Sequence, residues 1–551
     1  MNLANLGLSG INAAQHRLQT AGHNINNAAT DGYNRQSVVV SSAGAQNTGA
    51  GWVGRGVQTD SIQRSYNNFL YRQLVNAQST GASLITYGNE VSQVNNLFGD
   101  PTVGVSPALQ KFFDGIQAVA SAPADPAARQ ELLGRASSLV GQINDANAFL
   151  DAQRSNINTQ ITTVVSQINS YVERVSDLNQ QIIIAKAGSG QPPNDLLDQR
   201  DQLMSELSQL AGVKVIEQDG SFNLTIGNGQ VLLGGGTVFP LKAVPSANDP
   251  SRMAVAYTAP SGTGAGTLIE LHDDSLAGGS LGGLLQYRTE ALDSIQNELG
   301  RLATGLALSV NAAHKKGFDL NGNVGLDFFS LKPPVVLQAE GNRGSAHLSA
   351  EFISPPEQAA QQLAGQDYRI SYDGAQYAVF SVPNGVQVYQ GNGSPVQFEG
   401  VQFTVQGTPA VGDSWLLQPT RNAAGDLSLH LDNAAQIAAA KTDAGQSDGD
   451  NALSLAKLQT QKVLANGTMG LNEAFSQIVN RVGVLTQHNA TAAKAQATLI
   501  QQNYAAQQAV SGVNLNEEYV NLDRYQEQFR AASRLIDVSA TLFDTLLSLG
   551  R

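Results

Sequence analysis

A heptad pattern of apolar residues occupies the C-terminal end of the chain and constrains the fold more than any other feature. No proline or glycine occurs between Leu515 and Leu549, so one helix can run through this stretch. Apolar residues recur there every seven positions, at Leu515, Leu522, Phe529, Ile536 and Phe543. A second column widens the stripe at Tyr519, Ala532, Ala540 and Leu547. Because seven residues make almost two helical turns, the pattern predicts an amphipathic helix that needs a partner.

The N-terminal end carries a matching helical pattern over residues 3–28. Its column consists of Ala4, Ile11, Leu18 and Ile25, with Leu8, Ala14 and Ala21 alongside. Terminal helices usually fray unless something docks on them. We therefore predict that the two ends of the chain pair with each other.

Length and charge bound the classes of protein that the chain can represent. A chain of 551 residues is too long for one core and indicates roughly two to four domains. The formal net charge is −13 without clustered Lys or Arg, which argues against a nucleic-acid partner. The absence of cysteine excludes disulfides and thiolate metal sites. Because no signal-peptide pattern and no run of eighteen apolar residues occurs, we expect a soluble chain without a cleaved signal.

The periodicity along the chain predicts a multidomain α+β protein. Helical columns cover about 64–98, 126–187 and 285–306 and resume at about 433, whereas short alternating strands fill about 213–272 and 335–430. A Gly-rich loop is expected at 43–56 and a linker between Pro101 and Pro107. The predicted domains are a terminal coiled coil (1–60 with 510–551), a long-helix bundle with a small β part (61–332 with 433–509) and an inserted all-β domain (333–432).

Motifs that could carry chemistry are incomplete. Asp319–Asp327 has alternating oxygen side chains but lacks the glycine and glutamate of a calcium loop, so a turn is the preferred interpretation. Gly278–Gly282 has the letters of a nucleophile elbow without its strand, and Ser280 is better interpreted as a helix N-cap. Gly262–Gly266 lacks the lysine of a phosphate loop. We predict no catalytic, metal or cofactor site.

The string from Asn24 to Gln36, NINNAATDGYNRQ, together with Gly7-Leu8 and Ala13-Ala14-Gln15, resembles the N-terminal signature of bacterial flagellar axial proteins. These are the rod, hook and hook-associated subunits. The family usually has alanine where this chain has Asn26. The signature positions that we assign to an assembly interface are Asn24, Asn27, Thr30, Gly32, Tyr33 and Arg35.

A second string resembles the hook-associated branch of that family, in which a leucine-rich helix runs into an N-x-x-H-x-x-G-x-D-L-x-G-x-x-G loop. Its matching residues here are Asn311, His314, Gly317, Asp319, Leu320, Gly322 and Gly325. The segment Ser511–Glu518 also resembles the family, with Asn516 in place of the usual aspartate.

The resemblance implies a structural, non-enzymatic subunit that joins flagellar hook to filament after type III export. It implies extracellular copies arranged in a ring, with the hook protein and the second junction protein as neighbours and no membrane or nucleic-acid partner. Before export, a cytoplasmic chaperone would hold the C-terminal helix. Two alternatives remain: another axial subunit, against which Asn311 and His314 argue, or a cell-wall hydrolase on an axial scaffold, which needs a carboxylate pair or metal cluster.

Overall fold

The computed structural model describes residues 3–99, 104–261, 264–443 and 445–550. The predicted linker after Pro101 and the predicted turn at Gly262–Gly266 therefore lie partly outside the described residues. The chain begins with helix α1 and four strands: α1 (Leu3–Asn26), β1 (Gln36–Ser42), β2 (Ala45–Thr48), β3 (Gly51–Gly54) and β4 (Val57–Arg64). Strands β1 and β4 form an antiparallel ribbon against α1.

The loop expected at 43–56 is wrong, because this segment is a β-hairpin. The ribbon's backbone pairing continues outward through Ala43 and Gly56, which are joined by a hydrogen bond of 2.9 Å, into the paired strands β2 and β3. Glycines at 44, 51 and 56 take positive φ angles, which lets the chain turn without steric cost.

Long helices form the middle of the molecule. They are α2 (Asn68–Phe98), α3 (Val105–Ser121), α4 (Pro126–Ser189) and α5 (Asn194–Leu210). Helix α4 has 64 residues and is about 96 Å long at 1.5 Å per residue. It starts at a proline behind the capping carboxylate of Asp125 and ends at Gly190 in the left-handed conformation, and its columns through Ile143 and Ile161 are buried.

Two small sheets pack against α4. Their strands are β5 (Val213–Gln218), β6 (Ser221–Ile226), β7 (Gln230–Gly234), β8 (Thr237–Val238), β9 (Leu241–Pro245), β10 (Met253–Ser261) and β11 (Gly264–Glu270). The sheet orders are β5-β6-β7-β8 and β11-β10-β9. Asn179 of α4 bonds to both backbone groups of Phe222 in β6, and Asn169 does the same with Leu241 in β9. These amides fix the sheets along the helix.

The leucine-rich helix passes through the core. It consists of α6 (Gly279–Tyr287), a π-helical turn (Arg288–Leu292) and α7 (Asp293–His314). The predicted N-cap role of Ser280 is wrong: Gly278 occupies that position, and Ser280 lies inside α6 with its hydroxyl 3.5 Å from the Leu210 carbonyl oxygen.

The next hundred residues form the outer β region. Its elements are β12 (Phe329–Ser330), β13 (Val335–Gln338), β14 (His347–Phe352), α8 (Pro356–Gln362), β15 (Asp367–Tyr372), β16 (Tyr377–Val382), β17 (Gln387–Gly391), β18 (Val396–Phe398), β19 (Val401–Gln406), β20 (Ser414–Gln418), α9 (Ala423–Asp426) and β21 (Ser428–Leu429). A five-stranded sheet, β13-β20-β15-β16-β17, and a three-stranded sheet, β14-β19-β18, enclose a separate core around Trp415 and Phe403.

Three helices complete the chain: α10 (Asp450–Lys457), α11 (Leu471–Ser511) and α12 (Leu515–Leu549). The prediction that helix resumes at about 433 is wrong beyond a single 3₁₀ turn at Ala434–Gln436, because the chain then pairs in extended form with Phe318 through Ala440. Helix α11 lies antiparallel to α2, with Asn489 bonded to the Leu84 carbonyl and Asn503 to that of Gln73. The predicted fold class, multidomain α+β, is confirmed.

A largely buried charge cluster joins the outer β region to the helices. Its members are Arg154, Arg252, Arg421, Asp249, Asp293 and Asp367. Arg421 follows β20, and its guanidinium contacts the carboxylates of Asp249, at 3.0 Å, and Asp367. Burial opposes ionisation of Asp293, but Arg252, Arg421 and Arg154 together hold its pKa well below the usual range. Burial instead raises the pKa of Asp367 in spite of Arg421. The cluster joins the base of the outer region to the helices.

We predict that Arg421→Met destabilises the outer region by about 3–5 kcal/mol, since it leaves buried carboxylates without their shared cation. Calorimetry should show the outer region unfolding at lower temperature. Lys332→Met is the matched control, because Lys332 is 72% exposed and its contact with Asp426 is worth less than about 1 kcal/mol. Equal melting of wild type and Arg421→Met would contradict the assigned role.

Candidate assembly interface

Small residues let helices α1 and α12 approach closely. A Cβ atom placed on Gly7 would lie 2.7 Å from Ile536 Cγ1 and 2.9 Å from the Ala532 carbonyl oxygen. One placed on Gly10 would lie 3.0 Å from the Ala532 Cβ. These separations exclude any larger side chain, so α1 and α12 touch at backbone distance at this point.

The pair is antiparallel along its length. Besides the Gly7 contact, Arg17 donates to Gln528 Oε1 at 2.9 Å and lies over the Tyr525 ring, and Asn24 approaches Glu518. The buried side chains of α12 are Glu518, Ala532 and Ser539, with Tyr525 half-buried between them. This contact line has the heptad spacing and runs beside the main predicted column, while Ala532 of the predicted second column lies on it.

The predicted apolar residues flank the contact line. Half-buried members are Ala4, Ile11, Leu18, Ile25, Leu522 and Ile536. Exposed members are Leu8, Leu515, Tyr519, Phe529, Phe543 and Leu547, with 37–60% of each accessible to solvent. Ala14, Ala21 and Ala532 are buried. The structure thus brings the columns to one helix pair and leaves seven of their sixteen members, Ala540 included, exposed.

The last turns of α12 are exposed on every side, since each residue from 541 to 549 is solvent-accessible. We call their large side chains the apolar tip: Leu542, Phe543, Leu546, Leu547 and Leu549. Their exposed fractions range from 49% to 79%. An apolar cluster of this kind on a soluble protein marks an interaction surface.

A buried amide closes the opposite end of the helix pair. Asn24 is 1% exposed, and its Oδ1 accepts from the Gln36 backbone N–H at 2.9 Å and from the Tyr33 hydroxyl at 2.7 Å. Its Nδ2 donates to the Gln36 carbonyl at 2.9 Å and to Glu518 Oε2 at 3.3 Å. One side chain therefore joins α1, β1 and α12.

Arg35 reinforces this junction from the loop before β1. Its Nε donates to Glu518 Oε1 at 2.7 Å, and a second nitrogen lies 3.2 Å from Glu517 Oε2. Its backbone N–H donates to the Ser511 carbonyl at 2.8 Å. Arg35 thus bonds both to the start of α12 and to the end of α11.

Carboxylates of α5 hold the signature from the other side. Asp195, Asp198 and Asp201 lie on one face of α5, at a spacing of three residues. Asp198 accepts from Asn34 N–H at 2.9 Å and Nδ2 at 2.6 Å, and Arg64 contacts Asp198 and Asp201 at 2.8 and 2.7 Å. Burial raises the pKa of Asp198 and Asp201 in spite of Arg64.

The remaining signature residues shape the turn between α1 and β1. Asn27 Nδ2 donates to the His23 carbonyl, and its Oδ1 accepts from the Thr30 hydroxyl at 3.2 Å. Gly32 has φ +79°, and a Cβ there would lie 2.9 Å from Gln202 Oε1 of α5. Only glycine fits this contact without displacement.

The second signature, at the end of α7, forms hydrogen bonds within the chain, and we call the bonds of Asn311 and His314 and the loop that follows them the latch. Asn311 Oδ1 accepts from the N–H groups of Phe328 and Phe329, and its Nδ2 donates to the Phe329 carbonyl at 2.8 Å. His314 is fully buried; its Nδ1 donates to the Leu326 carbonyl at 2.6 Å, and its Nε2 accepts from Ala438 N–H at 2.8 Å. These bonds fix the neutral ring, and burial lowers its pKa.

The glycines and the aspartate of this loop complete the latch. A Cβ on Gly317 would lie 2.2 Å from Asn451 Nδ2, so the loop touches α10 directly. Asp319 accepts from the backbone N–H groups of Asn321 and Asn323 at 2.8 Å each, and Gly322 has φ +77°. The signature therefore ties the chain that enters the outer β region to the chain that leaves it.

The chemistry available at these sites is structural. Among residues 3–99, 104–261, 264–443 and 445–550, no group of three or more His, Asp or Glu side chains could hold a metal ion. In the same part of the chain, no helix is long and apolar enough to span a membrane.

Sequence reasoning missed several residues of the interface. Gly7, Gly10 and Glu518 form the helix contact, and Asp198 with Arg64 holds the signature. A heptad pattern of apolar side chains gives no signal for glycine, which has no side chain. The spacing of three between Asp195, Asp198 and Asp201 was a usable signal for an acidic helix face.

A nested set of antiparallel helices that ends in one terminal pair with exposed apolar side chains is typical of a structural protein. Family comparisons identify which one. The flagellar hook-associated protein FlgK helical domain matches residues 91–329, and the flagellar hook-associated protein 1 D2-like domain matches residues 339–419.

Individual relatives belong to the same family as these matches. Flagellar hook-associated protein 1 of Escherichia coli (strain K12) is 38% identical over 553 residues, which is 100% of each chain. The protein of that name from Bacillus subtilis (strain 168) is 24% identical and covers 98% of this chain and 96% of its own. The flagellar hook junction protein FlgK from Burkholderia pseudomallei superposes with a TM-score of 0.74 at 31% identity, over 80% of this chain and 100% of that chain.

The chain therefore belongs to the flagellar hook-associated protein 1 family. It is a structural protein of the bacterial flagellum, and the resemblance to hook-associated subunits is confirmed.

We predict that Asn24→Ala loosens the junction by about 2–3 kcal/mol, because it removes four hydrogen bonds at a buried position. Hydrogen exchange should accelerate at the Gln36 amide and in α1. Asn26→Ala is the control, since Asn26 is exposed at the end of the same helix. Unchanged protection at Gln36 would contradict this role for Asn24.

His314 should make the stability of the latch depend on pH. Because burial lowers its native pKa, the unfolded chain, with a pKa of about 6.5, binds the proton more readily. The contribution of His314 is complete above that value and is lost as the pH falls below it. His314→Phe should cost about 1–3 kcal/mol at pH 8, with a smaller cost at pH 5.5 in urea unfolding. A difference from wild type that is independent of pH would refute the neutral buried ring.

Proposed function

We propose that this chain joins the flagellar hook to the filament by packing its α1–α12 pair against the pairs of neighbouring copies. The observation that carries the proposal is the apolar surface that α12 keeps exposed beside α1, which ends in the apolar tip. Burial of one large apolar side chain contributes about 1.5–3 kcal/mol, so a few such residues per contact suffice for a stable ring. The names of the relatives, hook-associated and hook junction proteins, support this position in the flagellum.

The three predicted domains correspond to positions at increasing distance from the axis. Residues 1–60 with 510–551 supply the inner helices, residues 61–332 with 433–509 the middle layer, and residues 333–432 the outer region. The positions of Phe529 and Phe543 favour an inner location for the first domain, because water would otherwise surround them.

The neighbours along the axis are the hook protein on one side and the second junction protein on the other. Before type III export, a cytoplasmic chaperone covers α12, including Leu515, Tyr519, Phe529 and Leu547. The exposed fractions of these side chains support the need for a cover, since free apolar surface promotes aggregation.

The chain acts without catalysis. The side chains that would be candidates are engaged elsewhere: the Asp319 carboxylate binds backbone N–H groups, and His314 is buried between two backbone partners. A cell-wall hydrolase would need a pair of carboxylic acids facing a substrate cleft.

We predict that Leu542→Ser, Phe543→Ser and Leu546→Ser together leave the isolated protein folded but prevent its assembly. These side chains are at least 49% exposed, so their loss costs the monomer little. The measurement is the number of flagella with filaments on cells that carry the variant in place of the wild type, with circular dichroism of the purified chain as the folding check.

The matched control replaces the exposed Val386 and Val411 of the outer β region by serine. Cells with that variant should form filaments normally. Normal filaments on cells with the triple α12 variant would rule out the proposed contact.

A further inference from the structure

The hairpin β2–β3 is the most exposed secondary structure near the terminal helices. All eight residues of its two strands are solvent-exposed, and Trp52 and Val53 are 74% and 51% accessible. A Cβ built on Gly49, Gly51 or Gly54 would meet no other atom within 4 Å. The hairpin therefore projects from the molecule, and both of its strands face solvent along their whole length.

The hairpin is nevertheless regular. Trp52 pairs with Asn47 and Val53 with Gln46 in an antiparallel register, and the Thr48 hydroxyl donates to the Gly51 carbonyl at 2.7 Å. An isolated two-stranded hairpin is marginal in water, and tryptophan is a residue that interfaces use as an anchor. An exposed tryptophan on an ordered, projecting hairpin indicates a surface that another molecule covers.

The position of the hairpin is continuous with the proposed assembly surface. A Cβ on Gly56, at its base, would lie 2.3 Å from Ser9 Oγ and 3.5 Å from Leu6 Cδ1 of α1. Gly7, the neighbour of Leu6, contacts Ile536 of α12. The hairpin and the apolar tip therefore lie toward the same end of the helix pair, the end far from α5.

The distribution of charge favours a second copy as the partner. Residues 1–66 contain four arginines and two aspartates, for a formal charge of +2. Residues 511–551 contain four arginines and six acidic residues, for −2, while the whole chain carries −13. Copies repel one another through the rest of the molecule, but the N-terminal segment of one copy complements the C-terminal helix of the next.

A local pair of charges gives the contact its orientation. Arg55 directly follows the hairpin, and Asp544 lies within the apolar tip; both are exposed, and among the described residues neither has an ion-pair partner. Their opposite charges suit an ion pair between Arg55 of one copy and Asp544 of the next. Such a charge-assisted contact adds direction to an apolar surface.

We propose that Trp52 and Val53 of one copy dock on the apolar tip of α12 in an adjacent copy. This inference rests on the proposed function and specifies one contact within it. Trp52 fills the space beside Phe543 and Leu546, and the hairpin bridges neighbouring terminal domains.

Photocrosslinking in assembled flagella tests the contact. The full-length chain carries p-benzoylphenylalanine at the position of Trp52, and irradiated flagella are analysed for crosslinked peptides. We expect a crosslink between two copies that maps to residues 538–550. Parallel chains carry the probe at Phe543, as a test of the terminal interface itself, and at Val411, which is 73% exposed in the outer β region.

The outcomes separate the two proposals. Crosslinks between copies from both the Trp52 and the Phe543 positions support the contact. Crosslinks between copies from Phe543 alone overturn the role of the hairpin and leave the proposed function intact. Failure at both positions overturns both, and a crosslink from the Trp52 position only to a different protein also overturns the contact.

Trp52→Ser provides a second measurement. Because 74% of the Trp52 side chain is exposed to solvent, the melting temperature of the monomer should stay unchanged, while the amount retained in washed flagella should fall about tenfold. Trp52→Phe should retain most of the binding, since it keeps an aromatic ring. Full retention of Trp52→Ser would overturn the proposal.

Discussion

The close contact between α1 and α12 is the constraint on which the rest of the structure depends. It brings the two ends of a 551-residue chain together at Gly7 and Ala532, where the helices touch without side chains between them. Because α11 leads into α12 after Ser511, this contact also sets where α11 returns along α2. The long helices therefore form nested antiparallel pairs, with α1 and α12 paired next to α2 and α11. The outer β region is attached at the end of α7, the helix that passes through the core. The α1–α12 contact thus determines how the helices between them are arranged.

Polar and apolar contacts have separate tasks in this arrangement. Buried polar groups fix the angles between parts: Asn24 and Arg35 hold the terminal pair, and Arg421 holds the outer region. Such contacts are directional, and the loss of one partner leaves the other unsatisfied, so they define geometry more than they add stability. Large apolar side chains such as Phe543 remain outside and are available to other molecules. Each copy therefore has a core fixed by buried polar contacts and an exposed apolar surface at the end of α12.

The sequence predicted the elements better than their contacts. A proline-free stretch with apolar columns gave α4, and heptads at both ends gave the pairing of α1 with α12. The line of contact differs from the predicted columns because a heptad pattern of apolar side chains gives no signal for glycine: Ala532 belongs to the second column, but Gly7 and Gly10, which it meets, belong to none. The hairpin around Trp52 was missed because a two-stranded ribbon with glycines at its turns has the same amino-acid composition as a Gly-rich loop. Ser280 was assigned as a cap, although the glycine two residues earlier takes that position. The functions of the signature residues, such as Asn24 and Asn311, required knowledge of their backbone partners, which are set by tertiary structure.

We propose that copies assemble through the exposed side of the α1–α12 pair. Electron cryomicroscopy of flagella that contain this protein tests it most directly, because the map shows the environment of each helix in the assembled state. If copies assemble there, the terminal pairs lie side by side around the axis, with Phe529 and Phe543 buried between adjacent copies. Terminal pairs that face solvent, with copies joined through the outer β region, would contradict it.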